Sequence, residues 1–220
     1  MKKRILIFGD SNVWGYIPGD GQRFPEDVRW AGILKAALGE DWEILEDGVS
    51  ARTTCYDDLR YAYRNGEKAL GYTLAAQAPL DLVVLSLGTN DLKYGDARSS
   101  RDGMERLLRF LEEAEQICPL PGDSRIFPNG LKILIVSPIT IHPDISRLRP
   151  ESSLHGSYLE STKFAQLYRD LAKTHGVWFL DGAAYAQPSR VDCVHMSPES
   201  HLALGQAVGE KIREIFLPYL

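Results

Sequence analysis

The chain of 220 residues predicts an α/β fold, a three-layer, doubly wound parallel sheet of flavodoxin-like order 2-1-3-4-5. Three observations carry this. Short β-rich runs alternate with longer stretches of helical period, as in βα units. The third and fourth runs, Leu82–Leu87 and Lys132–Ser137, are almost wholly apolar, as strands covered on both faces must be. The length suits one domain, 1–220, and leaves little for a second core.

The first strand is read at Arg4–Phe8, ending at Gly9. Asp27–Leu38 puts Trp30, Ile33, Leu34, Ala37 and Leu38 on one helical face, with Gly39 as its C-terminal cap. Strand two is Trp42–Glu46. After strand three, Ser100–Cys118 carries Met104, Leu107, Leu108, Leu111 and Ala114 at helical period. After strand four, Tyr158–His175 does the same with Phe164, Leu167, Tyr168 and Leu171, and strand five is Val177–Leu180. Ser197-Pro198-Glu199 supplies a cap, a first-turn proline and a first-turn acid for a last helix to Phe216. The apolar end, Phe216 to Leu220, is expected to be covered.

With 25 Lys and Arg against 30 Asp and Glu, the net charge is −5, and no basic run extends beyond Lys2-Lys3-Arg4. A nucleic-acid partner is therefore not expected, and a small molecule is. The run Ile5–Phe8 is too short for a signal-peptide core or a membrane span. Cys55, Cys118 and Cys193 are an odd number at wide spacing, which argues for a reducing compartment and a cytoplasmic location. There is no His pair or acidic cluster at metal-ligand spacing, no G-x-G-x-x-G after strand one and no G-x-x-x-x-G-K, so neither metal nor cofactor is expected.

In the predicted order, ligands bind beyond the carboxyl ends of strands one and three. Strand one opens into Gly9-Asp10-Ser11-Asn12, where Ser11 reads equally as a helix cap or as a nucleophile. Beside it lies Gly88-Thr89-Asn90-Asp91, whose Asn90 amide suits either an Asx-turn or an oxyanion donor. Gly48, after strand two, is a third candidate donor through its backbone, or simply a turn. A serine needs a base, and the base an orienting acid. Of the five histidines only His195 follows an aspartate closely in a loop before a capped helix, Asp192-Cys193-Val194-His195; Asp181 is the competing acid. Trp14 and Tyr16 follow the nucleophile and read either as walls of the cleft or as packing for the first helix.

Phe8-Gly9-Asp10-Ser11, Gly48, Gly88-Thr89-Asn90-Asp91 and Asp192-x-x-His195 together resemble the four blocks of the SGNH (GDSL-like) hydrolase superfamily across nearly the whole chain. Arg29-Trp30, Gly48-Val49-Ser50-Ala51-Arg52-Thr53-Thr54 and Ala78-Pro79-Leu80-Asp81-Leu82 look like its bacterial arylesterase, acyltransferase and carbohydrate acetyl esterase branch. The resemblance implies a triad of Ser11, Asp192 and His195. It also implies an oxyanion hole of Ser11, Gly48 and Asn90; around the serine, Asp10, Asn12, Trp14 and Tyr16 are read as the substrate site. It further implies short acyl esters as substrates, some acyl transfer to alcohols, and a homo-oligomer. Two positions depart from the pattern: Asn12 replaces the usual leucine and Cys193 a common glycine. The competing expectation is a non-catalytic carbohydrate- or small-ligand-binding module of the same fold.

Overall fold

The computed structural model describes residues 2–58 and 61–219, with the side chain of Tyr219 left out. Among them the elements run β1 (Lys3–Gly9), α1 (Ser11–Trp14), α2 (Trp30–Leu38), β2 (Trp42–Gly48), α3 (Gly66–Gln77), β3 (Leu82–Ser86), α4 (Ala97–Glu112) and α5 (Ala114–Ile117). Then follow β4 (Ile133–Val136), α6 (Ile145–Leu148), α7 (Tyr158–Ser161), α8 (Phe164–His175), β5 (Trp178–Leu180) and α9 (Pro198–Phe216). All strand pairs are parallel, and the order is β2-β1-β3-β4-β5, as predicted.

Alternation along the strands sorts the core into two layers. Ile5 and Ile7 of β1, Leu82 and Val84 of β3, and Leu134 and Val136 of β4 face α2 and α9, where they meet Trp30, Leu34, Val208 and Ile212. Leu6, Phe8, Val83, Leu85, Ile133 and Ile135 face α3, α4 and α8, against Leu70, Leu107 and Phe164. These strand side chains are all but inaccessible, and each contributes about 1.5–3 kcal/mol of burial. The edges β2 and β5 are only partly covered.

The helices differ from expectation at their ends, for local reasons. α4 begins at Ala97 because Asp96 and Ser99 form a capping box, and it breaks at Glu113 before the short α5. The segment from Tyr158 divides at Thr162 and Lys163 into α7 and α8. α3 is absent from the sequence reading, since it buries little beyond Gly66, Leu70 and Leu74 and leaves Tyr72 exposed. At the apolar C-terminus Phe216 is buried edge-on against Trp42, with ring centroids 5.0 Å apart, whereas Leu217 is exposed. Leu220 lies outside the described residues. Among the described residues, no helix is long and apolar enough to cross a membrane.

Candidate active site

β1 delivers the chain to the carboxyl edge of the sheet, and Gly9 lets it turn there. A Cβ on Gly9 would sit 2.2 Å from Val13 Cγ2 and 2.8 Å from the Ser86 carbonyl oxygen. Asp10 caps α1 by accepting from the Asn12 N–H at 2.9 Å. Its burial raises the carboxyl above its ordinary range, against the Asn12 N–H and the fields of His195 and Lys93. Asn12 reaches sideways instead of into the cleft. Its Oδ1 accepts from the Met196 N–H at 3.0 Å and its Nδ2 donates to the Val194 carbonyl at 3.4 Å, joining the Ser11 turn to the histidine loop.

After β5 the chain folds back over the sheet edge, pinned by the Pro188 and Met196 bridge and by Ser189 N–H donating to the His195 carbonyl at 2.7 Å. This brings His195 Nε2 to 2.8 Å from Ser11 Oγ and His195 Nδ1 to 2.7 Å from Asp192 Oδ2. An ionised carboxylate only accepts, so Nδ1 carries the proton and Nε2 offers its lone pair to the serine hydroxyl. Asp192 Oδ1 accepts from the N–H groups of His195 at 2.9 Å and Val194 at 3.1 Å. Burial pushes the Asp192 carboxyl up, but the hydrogen bond and charge of His195 with these two N–H groups outweigh it and leave it below its ordinary range. Asp181, the competing acid, instead accepts from Ser137 Oγ and from the Ala183 N–H.

Cys193 sits in this loop at φ +69°, a left-handed conformation that favours glycine and explains why glycine is common at this position; nothing in the backbone explains the cysteine. Its side chain packs into the core, with Sγ 3.8 Å from the Arg190 carbonyl, and burial pushes the thiol up.

The opposite wall is built from the loops after β2 and β3. Asn90 is buried, and its amide orientation is fixed by chemistry: Nδ2 donates to the Arg52 carbonyl at 3.1 Å, while Oδ1 accepts from Lys93 Nζ at 2.7 Å. Arg52 is buried under the turn, bonding the carbonyls of Gly9 and Asp47 and the Asp47 carboxylate, with its guanidinium 4.0 Å from the Phe8 ring centroid. Buried Asp91 accepts from both the Thr54 N–H and the Thr54 hydroxyl. Burial pushes its carboxyl up to about 7, against those two hydrogen bonds.

Gly48 does not line the cleft. It pairs with Gly9 in the ladder, and a Cβ there would fall 2.2 Å from the Trp14 backbone nitrogen, so the glycine serves close packing of β2 on α1. Ala51 lines the cleft instead, at φ +65°. Among the described residues neither the Ser11 nor the Ala51 N–H has an acceptor within the protein. Nothing in the sequence points to Ala51, because no residue type announces a left-handed alanine.

These walls enclose a cleft of about 520 Å³, also lined by Tyr16, whose ring stacks on His195 with centroids 4.1 Å apart. Trp14 stands outside it, with its ring under the Arg23 guanidinium and its carbonyl accepting from Arg23 Nε at 2.7 Å. Apart from Tyr16, Leu154 and Val194 the lining is largely polar, with Ser50, Ser152, Ser153, Arg64, Lys93 and Arg149.

Solved structures share this arrangement of chain. A carbohydrate acetylesterase from Sinorhizobium meliloti superposes with a TM-score of 0.88 at 33% identity, over 98% of this chain and 100% of that one. The native M. smegmatis aryl esterase gives a TM-score of 0.86 at 36% identity, over 96% and 99%. An uncharacterized lipoprotein, YqeF of Bacillus subtilis (strain 168), is 31% identical over 116 residues; the match spans 51% of this chain but only 43% of that protein. The sequence profile of the GDSL-like lipase/acylhydrolase family matches residues 7–203, from within β1 to within α9, and with the serine turn and the histidine loop both inside that span the chain belongs to this family.

Proposed function

We propose that the protein is a serine esterase that hydrolyses short-chain acyl esters through an acyl-enzyme, with Ser11 as nucleophile, His195 as base and Asp192 as its orienting acid. The continuous chain from Asp192 through His195 to Ser11, with links of 2.7 and 2.8 Å, carries the reading. In the first step Ser11 Oγ bonds to the ester carbonyl carbon while its proton passes to His195 Nε2. The resulting imidazolium is stabilised by Asp192. The oxyanion that forms is met by the Asn90 amide and the N–H groups of Ser11 and Ala51, the last replacing Gly48 in that role. As the tetrahedral intermediate collapses, His195 returns the proton to the leaving alcohol. Water then repeats the sequence on the acyl-enzyme, or a second alcohol does so and the acyl group is transferred.

The largely polar lining supports a short acyl group and a polar or aromatic alcohol. Each methylene of a longer chain would gain about 0.8 kcal/mol only where apolar surface receives it, and here Tyr16, Ala51, Leu154 and Val194 are interspersed with charged and hydroxyl groups. The test is kcat/KM across p-nitrophenyl esters from acetate to palmitate. A maximum at acetate or propionate is expected; a maximum at long chains overturns the short-acyl assignment, and no turnover of any ester overturns the enzyme reading in favour of a binding module. A homo-oligomer belongs to the same proposal, supported by the exposed Tyr72 beside Phe110 and Ala75, an apolar surface open to a second copy. Light scattering that returns a monomer mass overturns that part.

A further inference from the structure

Lys93 is half-buried in the wall of the cleft, at the end of a 3₁₀ turn spanning Thr89–Lys93 that also carries Asn90. A lysine is costly to bury and normally meets a carboxylate there. This one instead spends a 2.7 Å hydrogen bond on the carbonyl oxygen of a neutral amide. The acids Asp10, Asp58 and Asp91 act on it through space, and Arg64 opposes them.

The geometry points to Lys93 as a positioning residue for the oxyanion hole: its N–H donation to Asn90 Oδ1 holds the amide with Nδ2 toward the reacting carbonyl. This rests on the serine-esterase reading above.

The two ends of the Asn90 side chain look alike in shape but are opposite in chemistry, and a half-turn about the amide axis would present a lone pair to the oxyanion. Two contacts forbid that turn. The Arg52 carbonyl can only accept and so demands Nδ2; the Lys93 ammonium can only donate and so demands Oδ1. The amide has two hydrogens, and one is engaged by Arg52, which leaves the second for the substrate oxygen. Cationic donation to Oδ1 also draws electron density from the amide and makes that second hydrogen a stronger donor. None of this requires Lys93 to touch the substrate. Its contribution runs through Asn90, and it is therefore conditional on Asn90.

That conditionality gives the test. Initial rates with p-nitrophenyl acetate are measured for the wild type, Lys93→Met, Lys93→Arg, Asn90→Ala and the double variant Lys93→Met/Asn90→Ala, with thermal melts on each. Lys93→Met is expected to lower kcat by about 10–30-fold with KM within about twofold, since one donor of the hole is worth about 10²–10³ and is here weakened and not removed. Lys93→Arg, which retains a donor, is expected to recover most of that loss. In the double variant, removing Lys93 is expected to cost no more than about twofold beyond Asn90→Ala. Full additivity would overturn the proposal, because the charge would then act on the substrate directly; so would an unchanged kcat in Lys93→Met, or a loss confined to KM. If Lys93→Met does not fold, Lys93→Gln carries the same comparison. Failure of the esterase reading looks different, as an inactive wild type.

Discussion

The two walls that meet at Ser11 are held in place by different physics. On the donor side, Arg52, Thr54, Asn90 and Asp91 are all buried, and each bonds groups from another loop or strand, so the wall is part of the core. On the base side, Asp192 and His195 are only part-buried, and their loop is shaped largely by bonds within itself, Asp192 to the N–H groups of Val194 and His195 and Ser189 to the His195 carbonyl, with the His142 N–H donating to the Cys193 carbonyl at 2.9 Å from outside it. Asn12 reaches across to it from the Ser11 turn. Substitutions on the base side should therefore reduce turnover and leave the fold intact, whereas the donor side couples the two.

The strongest contrast comes from Asp192→Asn. The amide cannot stabilise the imidazolium and permits the wrong tautomer, so kcat should fall by about 10⁴ while the melting temperature hardly moves. Asp181→Asn should leave kcat nearly unchanged; a reversed ranking in steady-state assays would reassign the acid. Asn90→Ala should lower kcat by about 10²–10³ with a smaller effect on KM. Because it also abandons the Arg52 carbonyl and Lys93, a lower urea midpoint is expected for this variant and not for Asp192→Asn.

Stability against pH sharpens the comparison. Buried Asp91 keeps its proton up to about pH 7 in the folded state, whereas an unfolded aspartate releases it near 3.9. Its contribution is therefore most favourable below about pH 4 and is lost as pH rises through about 7, by at most about 4 kcal/mol. His201 opposes it. Its Nδ1 accepts from the Trp30 N–H at the start of α2, and burial, with the charges of His195 and Arg29, pushes its pKa down to about 4. Its contribution is full above about pH 6.5 and is lost as pH falls toward 4, by at most about 3 kcal/mol. Between about pH 4 and 6.5 the two contributions largely cancel in the wild type, so over that window urea midpoints should rise with pH relative to wild type in Asp91→Asn and fall with pH relative to wild type in His201→Gln. Parallel curves for wild type and either variant would contradict the assignment for that group.

A smaller loss of turnover than at Asp192 or Asn90 is expected at Asn12. Asn12→Ala removes the clamp to Val194 and Met196 and should lower kcat about tenfold, with a loss of about 1–2 kcal/mol in stability. An unchanged kcat would show that the histidine loop holds its shape without Asn12.

The difference between the walls also explains what the sequence could reveal. The sheet order and the Ser11, Asn90 and Asp192-x-x-His195 positions were legible because strand ends and motif order place them without knowledge of side-chain contacts. Asp10 and Asn12 were expected at the substrate, yet their side chains serve the chain itself as cap and clamp. Tyr16 lies on His195 as one of the two expected walls, while Trp14 turns to Arg23, a choice set by contacts distant in sequence. Gly48 attracted attention as a glycine after a strand, but the need for close backbone packing explains it, and the exposed N–H falls three residues later at Ala51. α3 escaped because Leu70 and Leu74 alone set too weak a period.

The assignment of Ser11 as the nucleophile activated by His195 is open to labelling with a serine-directed phosphonate followed by peptide mass spectrometry. One adduct is expected, on the peptide containing Ser11 and lost in His195→Ala; an adduct on Cys193, or full esterase activity in Ser11→Ala, would contradict the assignment.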